Sequence, residues 1–130
     1  KRLPFADAVF DLLCLAMAPL GGDALRVLGA RGHLLRVSPG GEHLAGLKEH
    51  VFARAQPHRR APLAMPDLQH VDERRVRFAC ALTSEDRARL VAMTPMAHRA
   101  PQTRLEEAIA DGPETVIADF VVDVFVRASA

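Results

Sequence analysis

Apolar residues run from Val9 to Ala16 with only Asp11 interrupting them. A run of that length with both faces apolar predicts a strand buried inside a parallel sheet. Upstream, Pro4 disfavours helix at Leu3 and Ala6-Asp7 suggests a turn, so Lys1 to Asp11 reads as an extended entry. Pro19 and Gly21-Gly22 end the strand, and Asp23 as N-cap predicts a short helix, Ala24 to Gly29, with Leu25 and Leu28 facing the sheet. Gly32 then turns the chain into a second strand, His33 to Val37, closed by Ser38-Pro39-Gly40-Gly41. A strand–helix–strand unit implies parallel strands joined by a right-handed crossover.

Helical spacing returns between Glu42 and Gln56, where Leu44, Leu47, Lys48, Val51 and Phe52 recur on one side. Pro57 to Pro66 is basic, carries prolines and has no periodicity, which predicts a loop. Val76, Phe78, Cys80 and Leu82 alternate with Arg75, Arg77, Ala79 and Ala81, the pattern of a half-exposed strand. Thr83-Ser84-Glu85-Asp86 opens a helix, with Thr83 or Ser84 as cap and acids in the first turn, running until Thr94-Pro95. Thr103 to Ala110 predicts another short amphipathic helix, stopped by Asp111-Gly112-Pro113. The last strand, Val116 to Val126, places Phe120, Val122, Val124 and Val126 on one face and Asp119, Asp123 and Arg127 on the other. The order strand, helix, strand, helix, strand, helices, strand predicts one α/β domain, with a parallel pair first and an antiparallel pair last.

Composition narrows the function. The 130 residues are 49% hydrophobic, ordinary for a globular fold. A net charge of +1 is too small to hold nucleic acid by bulk charge, so any RNA contact must come from a local patch. Arg54, His58, Arg59, Arg60, Arg74, Arg75 and Arg77 form a run with few acids that could line an RNA groove, or simply be a solvated basic face. Cys14 and Cys80 sit in apolar runs and belong to no CxxC pair, which suggests small hydrophobes in a reducing cytoplasm, with no metal site. The sequence suggests neither a signal peptide nor a run of membrane-spanning length. Trp and Tyr are absent, leaving six Phe for stacking on bases.

Three stretches are similar to known methyltransferases. Leu3-Pro4-Phe5-Ala6-Asp7 followed by Phe10-Asp11 resembles the "LPF…D…FD" passage of class I S-adenosylmethionine-dependent enzymes, linking the adenine-binding loop to the fourth strand. Ser38-Pro39-Gly40-Gly41-Glu42-His43-Leu44 with Leu47-Lys48 resembles "TPGxxHLxxLK", and Met93-Thr94-Pro95-Met96-Ala97-His98-Arg99-Ala100 resembles "MTPxAxRA". Both are motifs of the 23S rRNA (guanine-N1)-methyltransferases, in the family's order. The resemblance implies that the chain is the distal half of a Rossmann-like class I sheet, its parallel strands ending in an antiparallel pair. The first three strands, the four-cysteine zinc module and the glycine-rich cofactor loop would then lie outside it. Gly21-Gly22 and Gly40-Gly41 do not fit GxGxxG between a strand and a helix. The first strand would be an open edge, a route to a homodimer.

The same resemblance implies S-adenosylmethionine as cofactor, a ribosomal RNA hairpin as partner and, in some members, macrolide resistance. Methyl transfer depends mostly on alignment of the reacting atoms, and guanine N1 must lose a proton. The acceptor should approach Ala16-Met17-Ala18-Pro19, none of which can take that proton. The catalytic candidates are therefore His98 and His43, contacting the base edge or the cofactor carboxylate. Leu3, Met17, Pro19, His98 and Arg99 are the cofactor-binding candidates; Arg59, Arg60, Arg75, Arg77 and Met96 are the RNA-binding ones. Against each stands a plainer role: a cap for either histidine, a strand-end turn for Pro39-Gly40, core packing for Met93 and Met96. Two other functions fit the chain: methylation of a small metabolite, and a truncated remnant that folds or dimerises without binding cofactor.

Overall fold

The computed structural model describes residues 2–54, 57–60, 63 and 65–128. Its elements are β1 (Phe10–Ala16), α1 (Ala24–Val27), β2 (Leu28–Pro39), α2 (Ala45–Val51), β3 (Leu68–Ala81), α3 (Ser84–Met93), α4 (Met96–Arg99), α5 (Gln102–Asp111) and β4 (Thr115–Arg127). The four strands form one mixed sheet in the order β1-β2-β4-β3. As the crossover rule requires, β1 and β2 are parallel, with Leu13 opposite Leu34 and Ala16 opposite Val37. β4 runs antiparallel to β2, Val124 facing Leu35. Bonds from Ala128 N–H to the Asp67 carbonyl and from Leu82 N–H to the Glu114 carbonyl place opposite ends of β3 and β4 together, which is antiparallel pairing.

The chain forms two compact units: residues 1–39, 60–76 and 120–130, and residues 40–59 and 77–119. In the first, Leu28, Leu34 and Phe125 are the buried centre, with Leu13, Leu15, Leu20, Leu63 and Leu68 packed around them. In the second, α2, α3, α4, α5 and the start of β4 contribute Leu47, Val51, Val91, Met96, Leu105, Ala108 and Val116 to one core that also takes Leu44.

Local structure departs from the pattern in instructive places. α1 stops at Val27, and Leu28 already begins β2, so Gly32 lies within the strand rather than at a turn. A Cβ there would sit 2.5 Å from Leu28 Cδ1, so glycine permits close packing. α2 is shorter than Glu42–Gln56 because Leu44 adopts a left-handed φ of 55° and Phe52 is extended. Of that predicted helix, Ala55 and Gln56 lie outside the described residues, as do Ala61, Pro62 and Ala64 of the predicted loop. β3 begins at Leu68, well before Arg75; its first half is charged on both faces, which hides a strand pattern but suits a sheet edge.

β1 is the other edge. Leu13 and Leu15 pack, whereas Leu12 is 51% exposed and Cys14 is exposed too, so the two-sided burial expected of this apolar run is not met within the described residues. On β4 the expected faces are reversed in depth. Asp119, Asp123 and Phe125 are buried, while Phe120, Val122, Val124 and Val126 are half-buried.

Candidate functional site

The Leu3–Asp7 segment is held by one side chain. Arg26, at the end of α1, makes a fork to Asp23 (Nε to Oδ1 2.6 Å, Nη2 to Oδ2 2.8 Å). It also donates to Asp7 Oδ1 at 2.6 Å, the Phe5 carbonyl at 2.7 Å and the Leu3 carbonyl at 3.0 Å. Asp23 in turn accepts the Leu3 N–H. These bonds, Arg26 first, hold the Asp23 carboxyl far below the usual carboxylate range. The Phe5 ring meets Phe10 edge-on at 5.0 Å and is half exposed, as is Leu3. The segment thus offers fixed apolar surface, the kind a purine face needs. At the carboxyl end of β1, Met17 has a left-handed φ of 54° and an exposed side chain, its N–H bonded to the Val37 carbonyl at 3.0 Å. A non-glycine residue in that region stores strain, which clusters at binding sites. Pro19 is exposed as well.

The turn between β2 and α2 is built on Asp119, which the alternation of β4 sets on the polar face of that strand. Asp119 is fully buried. Its backbone accepts the Gly40 N–H at 2.8 Å, its Oδ2 accepts the Glu42 N–H at 3.1 Å, and its own N–H donates to His43 Nδ1 at 3.2 Å. Leu44 N–H adds a bond to the Ile117 carbonyl at 2.9 Å. A Cβ on Gly40 would lie 2.4 Å from the Asp119 carboxyl, so only glycine fits. Burial, then the charges of Lys48 and His58, push the His43 imidazole below its ordinary pKa, against the pull of Asp119. Burial lowers Lys48 too.

In the Met93–Ala100 stretch the residues divide by exposure. Met96 is 4% exposed and lies in the same core as Leu44, which corrects its assignment to RNA contact: its thioether is packed among Val91, Leu105 and neighbours. Met93 is 76% exposed. His98 and Arg99 are exposed on α4 and, with Ala92, Met93, Thr94 and Pro95, line a shallow surface depression.

The basic run is less free than its sequence suggests. Arg60 bonds Glu73 at 2.8 Å and Asp123 at 3.3 Å; Arg77 pairs with Glu42 at 2.7 Å; Arg74 pairs with Asp72 at 3.2 Å. Acids, most of them far along the chain, thus fold back onto arginines expected to face phosphates. Arg59 and Arg75 are exposed. Asp123, the second buried acid of β4, also accepts from Arg36 at 3.0 Å and lies 2.9 Å from His70 Nε2. His70, Glu73 and Asp123 bring ligand atoms within 4.8 Å of one another. Arg60 and Arg36 already neutralise both carboxylates, so this donor set suits an ion-pair network rather than a divalent cation. The signals for Asp119, Asp123 and Arg26 were weak: isolated charges among apolar residues, with partners far along the chain. Among the described residues no helix is long and apolar enough to cross a membrane.

No family model matches the chain. A crystal structure described as a "putative methyltransferase" from Bacillus halodurans C-125 superposes with a TM-score of 0.49 at 12% identity, covering 98% of this chain and 68% of that one, too weak a likeness to argue from. The sequence match is stronger: 34% identity over 124 residues, or 90% of this chain, to a Micromonospora griseorubida protein described as a "Putative 23S rRNA (guanine-N(1)-)-methyltransferase". The chain spans 42% of that protein's length. Along nine tenths of its sequence, therefore, this chain resembles part of a 23S rRNA guanine-N1-methyltransferase.

Proposed function

We propose that the chain supplies the distal half of an S-adenosylmethionine-dependent methyltransferase domain acting on guanine N1 of large-subunit ribosomal RNA in the cytoplasm. The observation that carries this reading is the 34% identity across 124 residues. Two features support it. The two motifs of the resemblance feed one core, through Leu44 and Met96. The sheet passes from a parallel pair to an antiparallel finish, as the distal half of a doubly wound sheet would. The zinc module, the first three strands and the glycine-rich loop belong, on this reading, to the remainder of the domain.

S-Adenosylmethionine supplies an electrophilic methyl group on a cationic sulfur. The residues present fit its adenine part: Arg26 holds Leu3 and Phe5 with apolar surface outward. Met17 and Pro19, after β1, are the cofactor-binding candidates there, and His43 and His98 remain the candidates for a polar contact to a base edge or a carboxylate. Arg99 meets a phosphate or a carboxylate, and Arg59 an RNA phosphate.

The test uses the whole protein. It should transfer a labelled methyl group to a 23S rRNA hairpin, mapped to one guanine N1, and should bind S-adenosylhomocysteine by calorimetry. The isolated 130-residue chain should not bind it. Methylation of RNA at another atom would refute the guanine-N1 assignment. Methylation of a small metabolite alone would establish the second reading, which the acid-paired Arg60 and Arg77 favour.

A further inference from the structure

We propose that Lys48 and His58 hold a backbone phosphate of the RNA substrate, on the surface where residues 57–59 return to the turn before α2. That the phosphate belongs to RNA rests on the methyltransferase reading; that the pair takes an oxyanion does not.

Lys48 is the last residue of the motif that begins at Ser38, and nothing in the fold employs its ammonium group. Its backbone is satisfied in and beside α2, the N–H bonding the Leu44 carbonyl at 3.0 Å and the carbonyl accepting the Phe52 N–H at 2.8 Å. Leu47 and Val51 on the same helix go wholly into the core, while Lys48 stays half-buried. Among the described residues no acid bonds to its side chain. Glu42, in the preceding turn, is paired with Arg77 at 2.7 Å, and the buried Asp119 carboxylate accepts the Glu42 N–H.

The charges that do reach Lys48 are of its own sign. A Cβ on Gly41 would lie 3.9 Å from Pro57 Cβ, so the chain folds back on the turn and carries the exposed His58 with it. Burial and then the charge of Lys48 lower His58, the same charge reaches His43, and burial lowers Lys48 itself. Basic side chains are thus gathered around an ammonium group partly stripped of water. Such a group costs stability until a counter-ion joins it. A phosphodiester suits: it carries a full negative charge, and lysine binds phosphate as a point charge through charge-assisted bonds. Exposed Arg59 follows His58 directly and supplies a further cation, which a polyanion can use and a lone carboxylate does not need. A point charge reads no base edge, so the contact positions RNA without selecting its sequence.

Binding of a 23S rRNA hairpin to the whole protein across a salt series tests the contact. Each phosphate contact contributes about 0.7–0.9 to the slope of log Kd against log salt. Lys48→Gln should lower the slope by about that amount and weaken binding about tenfold, equally for a hairpin with a scrambled loop. Lys48→Arg should restore both, and Arg104→Gln, which removes an exposed charge on α5, should change neither. His58→Ala, at an exposed position, should weaken binding about threefold even if Lys48→Gln does not fold. An unchanged slope in folded Lys48→Gln, or wild-type affinity in His58→Ala, would overturn the proposal.

The oxyanion has its own readout. Inorganic phosphate should shift the His58 ring signals saturably in proton–carbon NMR of the wild-type protein, and Lys48→Gln should abolish the shift. A response absent from wild type, or surviving in Lys48→Gln, would overturn the site. A saturable response with an unchanged RNA slope would overturn RNA as the source of the phosphate. If the protein methylates no RNA while both readouts behave as expected, the methyltransferase reading falls and the phosphate site stands.

Discussion

Replacing Arg87 with Met should be among the costliest single changes in this chain. Arg87 is 6% exposed on α3, and its guanidinium closes the end of α5, donating to the carbonyls of Ile109 at 2.8 Å, Ala110 at 3.1 Å and Pro113 at 3.3 Å. The last carbonyls of a helix have no partner within it and carry its partial negative charge. Met preserves length and apolar contact while deleting the charge, so the effect isolates the bonds. Hydrogen bonds to a charged group contribute about 1.5–3 kcal/mol, and a carbonyl left buried without a partner costs about 1–3 kcal/mol. Ala110 is exposed and can turn to water. Relief of the buried charge offsets part of the rest, leaving a net loss of about 3 kcal/mol. For a chain of this length unfolding as one, that lowers Tm by roughly 10 °C. Urea denaturation followed by far-ultraviolet circular dichroism should show a lower midpoint with an unchanged slope. Arg87→Lys should rescue little, since an ammonium cannot reach three carbonyls with a planar fork. A loss below about 1 kcal/mol in Arg87→Met would refute this account of how α5 ends.

Met96→Ala should cost about 2–5 kcal/mol in the same assay, whereas Met93→Ala should stay within about 0.5 kcal/mol, since only Met96 is in the core. Arg26→Gln should free the Leu3–Asp7 segment, read as faster hydrogen exchange and proteolysis there, with β2 amides unaffected. Asp23, held low by Arg26, contributes stability that is present above the unfolded carboxylate value of about 3.9 and lost as pH falls through the folded value; Asp23→Asn should flatten that acid limb. His43 titrates lower folded than unfolded, so it too contributes stability that is present above about pH 6.5 and lost as pH falls through its folded value. Melts of His43→Gln should therefore decline less on mild acidification than wild type does.

The sequence was most legible where structure depends on neighbours along the chain. Thr83 caps α3 through the N–H and carboxylate of Asp86, a reciprocal pair readable from four residues. The Asp111-Gly112-Pro113 stop falls where α5 ends, and Gly112 is needed because a Cβ would lie 2.0 Å from the Ala108 carbonyl. The parallel β1–β2 pair followed from the apolar run and the crossover rule. What escaped were charges with distant partners. Asp119 and Asp123 in a Val- and Phe-rich strand look like a solvated face, and nothing local says that Gly40, Glu42 and His43 cover one while Arg36, Arg60 and His70 cover the other. Arg36 and Asp123 do sit opposite each other in the β2–β4 register, so a correct pairing of those strands would have exposed that ion pair.

Burial and hydrogen bonding also separate the residues within each motif. In Ser38–Leu44, Leu44 turns into the core while His43 is held at its margin by β4. In Met93–Ala100, Met96 turns inward and His98 and Arg99 turn out. Each motif thus holds two kinds of residue: one that anchors its segment in the core, and others that lie outside that core. Recognising the motif locates the segment, but burial and hydrogen bonding decide which member can touch a substrate. Met96, half of an apparent methionine pair, is thereby moved to the anchors, and Gly40 acquires a reason beyond the strand-end turn: its missing side chain makes room for the Asp119 carboxylate.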